Sequence, residues 1–265
     1  MINIYKRTWQ VVWAEQWQYR ANLLMYLLFW IVSPVIFLAV WASIAQANGS
    51  VGGMTANDFI AYYLISLPVS IITADITIHI FANKIQDGSL SSELVLPVHP
   101  MLTRALIGNL GFKALQLIVF VPAWILLALL FQPQLNVTPA SLALGALACV
   151  LGFVVNFFFG AILTCLAFWS TRVYWFDQLI RFAMGRMLSG EFVPLTLLPS
   201  ILQGMARVLP FQLALYFPVQ LILNKLTPQD IVINLGLQVF WIAFMAIIFF
   251  FQWRAAMKKY SAVGA

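Results

Sequence analysis

Charged residues leave long stretches of this chain untouched. Residues 21–45 carry no charge and follow Arg20 directly. Residues 59–83 form a second apolar run, interrupted by Asp75 and His79. A third covers 105–131, with Lys113 near its start. No charge occurs from Ala114 to Thr171, and the polar, proline-bearing stretch 132–139 divides that length in two. Residues 231–253 form the last run. A hydrocarbon core ~30 Å thick needs about 20 apolar residues as a helix, so five spans are read directly. The first is too long for a signal peptide and lacks an obvious small-residue cleavage site.

The first twenty residues follow another pattern. Tyr5, Trp9, Trp13 and Trp17 recur every four residues, while Lys6, Arg7, Gln10 and Gln18 fall largely elsewhere on the wheel. Residues 1–20 therefore read as an amphipathic interfacial helix, with indole rings at the headgroup level.

Composition excludes a soluble fold. Of 265 residues 63% are hydrophobic and 8% charged, against about 25% charged in soluble domains. The fold class is an all-α integral membrane protein, a single transmembrane domain over 1–265. The net charge of +6 does not point to nucleic acid, because the basic residues edge the apolar runs. Lys6, Arg7 and Arg20 precede the first span, and Arg254, Lys258 and Lys259 follow the last. Both termini are then cytoplasmic, and the crossings must be even in number. The sixth is expected over 173–198, despite Asp177, Arg181, Arg186 and Glu191. Of 14 basic residues this leaves nine inside, two outside (Arg207 and Lys225) and three within spans. Residues 199–226, punctuated by Pro199, Pro210 and Pro218, hold an apolar piece of only 16 residues after Pro210. At 1.5 Å rise this is ~24 Å, marginal for crossing, so an external re-entrant segment is expected.

Candidate catalytic chemistry is sparse. The chain has no phosphate-binding G-x-x-x-x-G-K-[ST], no H-E-x-x-H and no G-x-S-x-G, and an enzyme is not expected. No metal ligand set is read: Cys149 and Cys165 lie inside apolar segments, as buried thiols do. Intramembrane ionisable groups are suspects because charge at depth is costly. Asp75 and His79 are spaced i, i+4, as are Asp177 and Arg181, and Lys113 is placed to pair with Asp75. Such groups can couple ions or simply fasten helices; both readings stand. Phe157, Phe158, Phe159, Phe168 and Trp169 can line a path or face lipid.

The loop between the second and third spans, 82–104, is the most informative segment. After Gln86 and Asp87, Gly88 and Ser89 open a short helix and Pro97 stops it. Leu90 and Leu94 then share one face, with Glu93 beside them. Apolar knobs on a cytoplasmic turn suit docking into a groove on another protein, though a plain interhelical turn fits equally.

The loop resembles the cytoplasmic coupling segment of type-2 ATP-binding-cassette permeases, with Gly88, Leu90, Leu94 and Pro97 in a G-x-L-x-x-x-L-x-x-P-like pattern. Leu188-Ser189-Gly190, then Pro194-Leu195 and Pro199, and again Pro210-Phe211, Tyr216 and Pro218, resemble the stretch after the fifth span in the six-span bacterial branch. Arg181 and Arg186 make this fifth span more charged than that family's pattern. The resemblance implies an exporter half in a bacterial plasma (inner) membrane that binds no cofactor itself. It would pair with a second permease, identical or related, and with two separate ATPase subunits that hold ATP and Mg. The runner-up is a secondary transporter or channel with Asp75, His79 and Lys113 as its ion site; a membrane anchor is a third class.

Overall fold

A computed structural model of the protein describes residues 2–18 and 20–260 and is all-helical, with no strand among them. The elements are α1 (Ile2–Gln18), α2 (Arg20–Asn48), α3 (Ala56–Thr73), α4 (Thr77–Gln86), α5 (Ser91–Leu94), α6 (Leu106–Phe131) and α7 (Pro139–Cys165). A π-helical turn, Met101–Ala105, leads into α6. There follow α8 (Val173–Asp177) and α9 (Arg186–Leu188), joined by a π-helical stretch into one helix over 173–188. Last come α10 (Ser200–Val208), α11 (Phe211–Ala214), α12 (Tyr216–Ile222) and α13 (Pro228–Lys259). Five helical segments are long and apolar enough to cross a membrane: 30–48, 56–86, 101–131, 139–168 and 228–259.

Local chemistry marks one end of the bundle. Thr55, Thr138 and Thr227 each cap a helix reciprocally, with Asp58, Ser141 and Asp230 three residues on. Each pair satisfies N–H groups that the first turn leaves orphaned. Pro139 and Pro228 occupy first helical positions, where no N–H is needed. These starts lie together: Asn57 exchanges two hydrogen bonds with the backbone of Gln134, and Lys225 pairs with Asp58. The opposite end carries 87–100, 169–172 and Tyr260, joined by Gln86 to the Thr171 carbonyl and Tyr260 to the Gly88 carbonyl.

Inside an apolar bundle every freed backbone group needs an internal partner. Pro68 deprives the Leu64 carbonyl of its helical donor, and the Trp124 indole N–H supplies a replacement at 2.7 Å. The second span is broken outright, since 74–76 are not helical. The expected fifth span ends early, at Leu188, where Gly190 turns the chain at φ +86°. Sixteen helical residues reach only ~24 Å. A strap over 189–199 then continues along α3 and α2: Tyr62 donates to the Gly190 carbonyl, and Tyr63 and Trp41 to that of Phe192.

From the strap, α10 runs inward and α11–α12 return. Leu197 lies against Gly52 at the Thr55 end, and Val208 accepts from the Trp241 indole far along α13. Ala214 packs on Gly152 of α7, and the Ile222 carbonyl is back at Ser141. Gln238 of α13 donates to the Ala148 and Leu213 carbonyls and ties the returning arm to α7. On α1, Val12 is buried against Gly111 of α6, while Lys6, Arg7, Trp9 and Trp17 are exposed. The Tyr5 side chain and residues 261–265 lie outside the described residues.

Candidate functional site

The loop after α4 begins at Gly88, whose φ of +79° admits glycine at little cost. The Leu90 N–H bonds back to the Lys84 carbonyl, so the chain folds over the end of α4. The Ser89 N–H donates to the Asp87 carboxylate and holds its pKa below the ordinary value. A single turn, α5, follows and ends three residues before Pro97. Gly88 thus closes α4 and does not open the next helix.

This geometry corrects the reading of the leucines. Leu90 is 0% exposed, in a cluster with Ile78, Phe81 and Met101, and Leu94 packs half-buried on the same cluster. The i, i+4 stripe faces inward because the turn at Gly88 brings residue 90 back over α4. Glu93 is no rim residue either; it is buried and paired with Lys84 and Arg104. Val95 and Leu96 are the apolar side chains that project, 81% and 45% exposed, with Pro97 exposed beside them. Leu96, Val98 and Thr103 line an open cleft of about 210 Å³ next to them.

Behind the loop stands α13. The Tyr260 hydroxyl donates to the Gly88 carbonyl at 2.6 Å and lies 3.0 Å from Ser91 Oγ. His99 packs on Trp253, ring centroids 4.7 Å apart, and burial lowers its pKa. Tyr174 reaches Asn83 Oδ1, adding a brace from the 169–174 turn.

The polar groups expected within the spans form a node at the break in the second span. Arg181 Nη1 donates to the Asp75 carboxylate at 3.0 Å and to its carbonyl at 3.2 Å, while Nε engages Asp177. The Asp75 Oδ1 atom accepts from the Thr77 hydroxyl and N–H, starting α4. Asn109 accepts from the Ile76 N–H, and Asn156 donates to the Thr73 carbonyl. Gly160 leaves the space: a Cβ there would sit 1.8 Å from Asp75 Oδ2.

One expectation fails here: His79 does not share a helix face with Asp75, because the break separates them; it is exposed and stacks on Tyr174. Lys113 feels the charge of Asp75 but does not bond it, because Arg181 occupies that carboxylate. The Lys113 ammonium lies 3.2 Å from the Phe153 ring centroid, without a hydrogen bond.

The residues expected in the external segment come together around the strap and hairpin. The Tyr216 N–H donates to Ser189, and its ring lies 6.1 Å from that of Tyr62, which holds Gly190. Pro194 and Pro199 each precede a helical turn, and Pro218 is buried in α12. Pro210 starts α11, and Phe211 packs edge-on to Phe159. Arg207, counted with the external segment, is exposed beside Val208, which accepts from the Trp241 indole.

Asn109, Asn156, Gln238 and Tyr260 escaped the sequence reading. Lone amides within uncharged runs were the available signal for the first three. For Tyr260 there was none, since its role depends on where α13 ends.

A family model described as ABC-2 family transporter protein matches residues 28–264. No curated protein and no solved structure matches the chain.

Proposed function

This chain belongs to the ABC-2 transporter family as the multi-pass permease component of an ABC transporter, and we propose that it is the membrane half of an ATP-driven exporter. Separate ATPase subunits supply hydrolysis, with ATP and Mg on those chains, and a second permease, the same or related, completes the path. Residues 87–100 face the cytoplasm with both termini, in a bacterial plasma membrane. The helix over 173–188 with its strap makes the sixth crossing, and 199–226 enters from outside and returns.

One observation carries the coupling assignment. Val95 and Leu96 project from a loop held from behind by Leu90, Glu93 and Tyr260. A small apolar knob on a braced base can transmit a push into the bundle; an unbraced turn would yield. Burying such a side chain is worth about 1.5–3 kcal/mol. The permease reading is preferred to an ion carrier because Arg181, not His79 or Lys113, bonds the Asp75 carboxylate.

Val95→Asp and Leu96→Asp should abolish co-purification of an ABC ATPase and ATP-driven transport, at unchanged expression. Leu90→Asp should instead lower expression, because it buries a charge. Normal ATPase recovery with both projecting residues replaced would refute docking at this loop.

A further inference from the structure

Arg207 is a cation in the wrong place for lipid. Val208, beside it, accepts a hydrogen bond from Trp241, thirteen residues beyond Pro228 on α13. At 1.5 Å per residue this is about 20 Å from that helix's start, and midway through the apolar run. Gly152, against Ala214, lies equally far from Pro139 on α7. The hairpin tip is therefore deep in the bundle, and Arg207 is exposed there. Charge facing lipid at such depth is costly, so this face of α10 looks onto water or a passing molecule.

No acidic side chain among the described residues supplies its counter-charge. Asp75 and Asp177 are taken by Arg181, Glu191 by Arg186, Glu93 by Lys84 and Arg104, and Asp58 by Lys225. Asp230 caps α13 at the far end, and Asp87 lies on the 87–100 loop, where Ser89 bonds it. These are the seven acidic side chains among the described residues. A second copy would bring the same seven, held in the same way.

The helix carrying Arg207 has three faces. Leu202, Ala206 and Leu209 pack on Leu188 and Leu195. Ser200, Gly204 and Arg207 make a small, polar exposed stripe, and Ile201, Met205 and Val208 an apolar exposed stripe beside it. A guanidinium next to an apolar strip suits a molecule with an oxyanion head and a hydrocarbon body. We propose that Arg207 is a substrate-binding residue of this permease and that its ligand is an anionic amphiphile bearing a phosphate or carboxylate head. This rests on the exporter reading for its path, but not on coupling.

The test uses the full chain purified in an uncharged detergent, with fluorescent phosphatidic acid as probe and phosphatidylcholine as comparison. Phosphatidic acid should bind, and phosphatidylcholine at least tenfold more weakly. Arg207→Gln should weaken phosphatidic acid binding at least tenfold and Arg207→Lys by less. Lys258→Gln, an equal charge change at the opposite end, should not matter. Equal binding by Arg207→Gln, equal weakening by Lys258→Gln, or no binding by the unaltered chain overturns the proposal. Displacement of the probe by equimolar inorganic phosphate also overturns it, in favour of a soluble anion. ATPase co-purification with Arg207→Gln is read in parallel; if it persists while the binding prediction fails, only this inference falls.

Discussion

Two arginines sit beside interrupted helices within the bundle, under opposite conditions. Arg181 lies at the 74–76 break, where two carboxylates and a carbonyl receive it and two asparagines satisfy neighbouring backbone groups. Arg207 lies at the tip of the α10–α12 hairpin, exposed and paired with no carboxylate among the described residues. In the hairpin, Gln238 and the Trp241 indole satisfy the backbone instead, and neither charge nor glycine cradle is built around the cation. A charge that closes its own circuit within the protein is structural. One whose circuit is left open is available to something else.

The contrast breaks first at Arg181. Arg181→Ala leaves Asp75 and Asp177 buried without a cation, which should cost about 3–5 kcal/mol. Thermal unfolding in detergent should show the loss, and survival of the unaltered midpoint would mean that the node is not structural. Gly160→Ala should follow at about 1–3 kcal/mol, since Thr77 and Arg181 prevent Asp75 from moving aside. The same melt, with Gly204→Ala in open space as control, checks it. On the hairpin side, Gln238→Leu removes the donor to the Ala148 and Leu213 carbonyls. The expected cost is about 1–3 kcal/mol, seen as faster deuterium uptake over 211–222. Smallest of all, Arg207→Ala should change stability by no more than about 0.5 kcal/mol; a loss as large as that of Arg181→Ala would erase the distinction.

Much of the scaffold is legible from charge spacing. The five apolar runs correspond to the five long apolar helices, shifted by a few residues where caps such as Thr55–Asp58 extend them. The i, i+4 spacing of Asp177 and Arg181 survives as an ion pair because no break falls between them. The same spacing misleads at Asp75 and His79, where the helix is interrupted, and at Leu90 and Leu94. Spacing reports which residues share a face only while the helix continues, and it does not report which way that face turns.

The sequence by itself determined that this chain lives in a membrane, how many long apolar helices it has, and that a glycine-started loop joins the second and third. Those follow from transfer free energies and backbone capping, which act within about twenty residues. Tertiary structure decided that Leu90 is core and Val95 and Leu96 project, that Arg181 rather than Lys113 meets Asp75, and that Arg207 is carried deep into the bundle. Each of these depends on residues 33 to 106 positions apart, or on one turn's direction, meeting in a packed interior. No local pattern encodes such a meeting, because its energy exists only once both partners have left water.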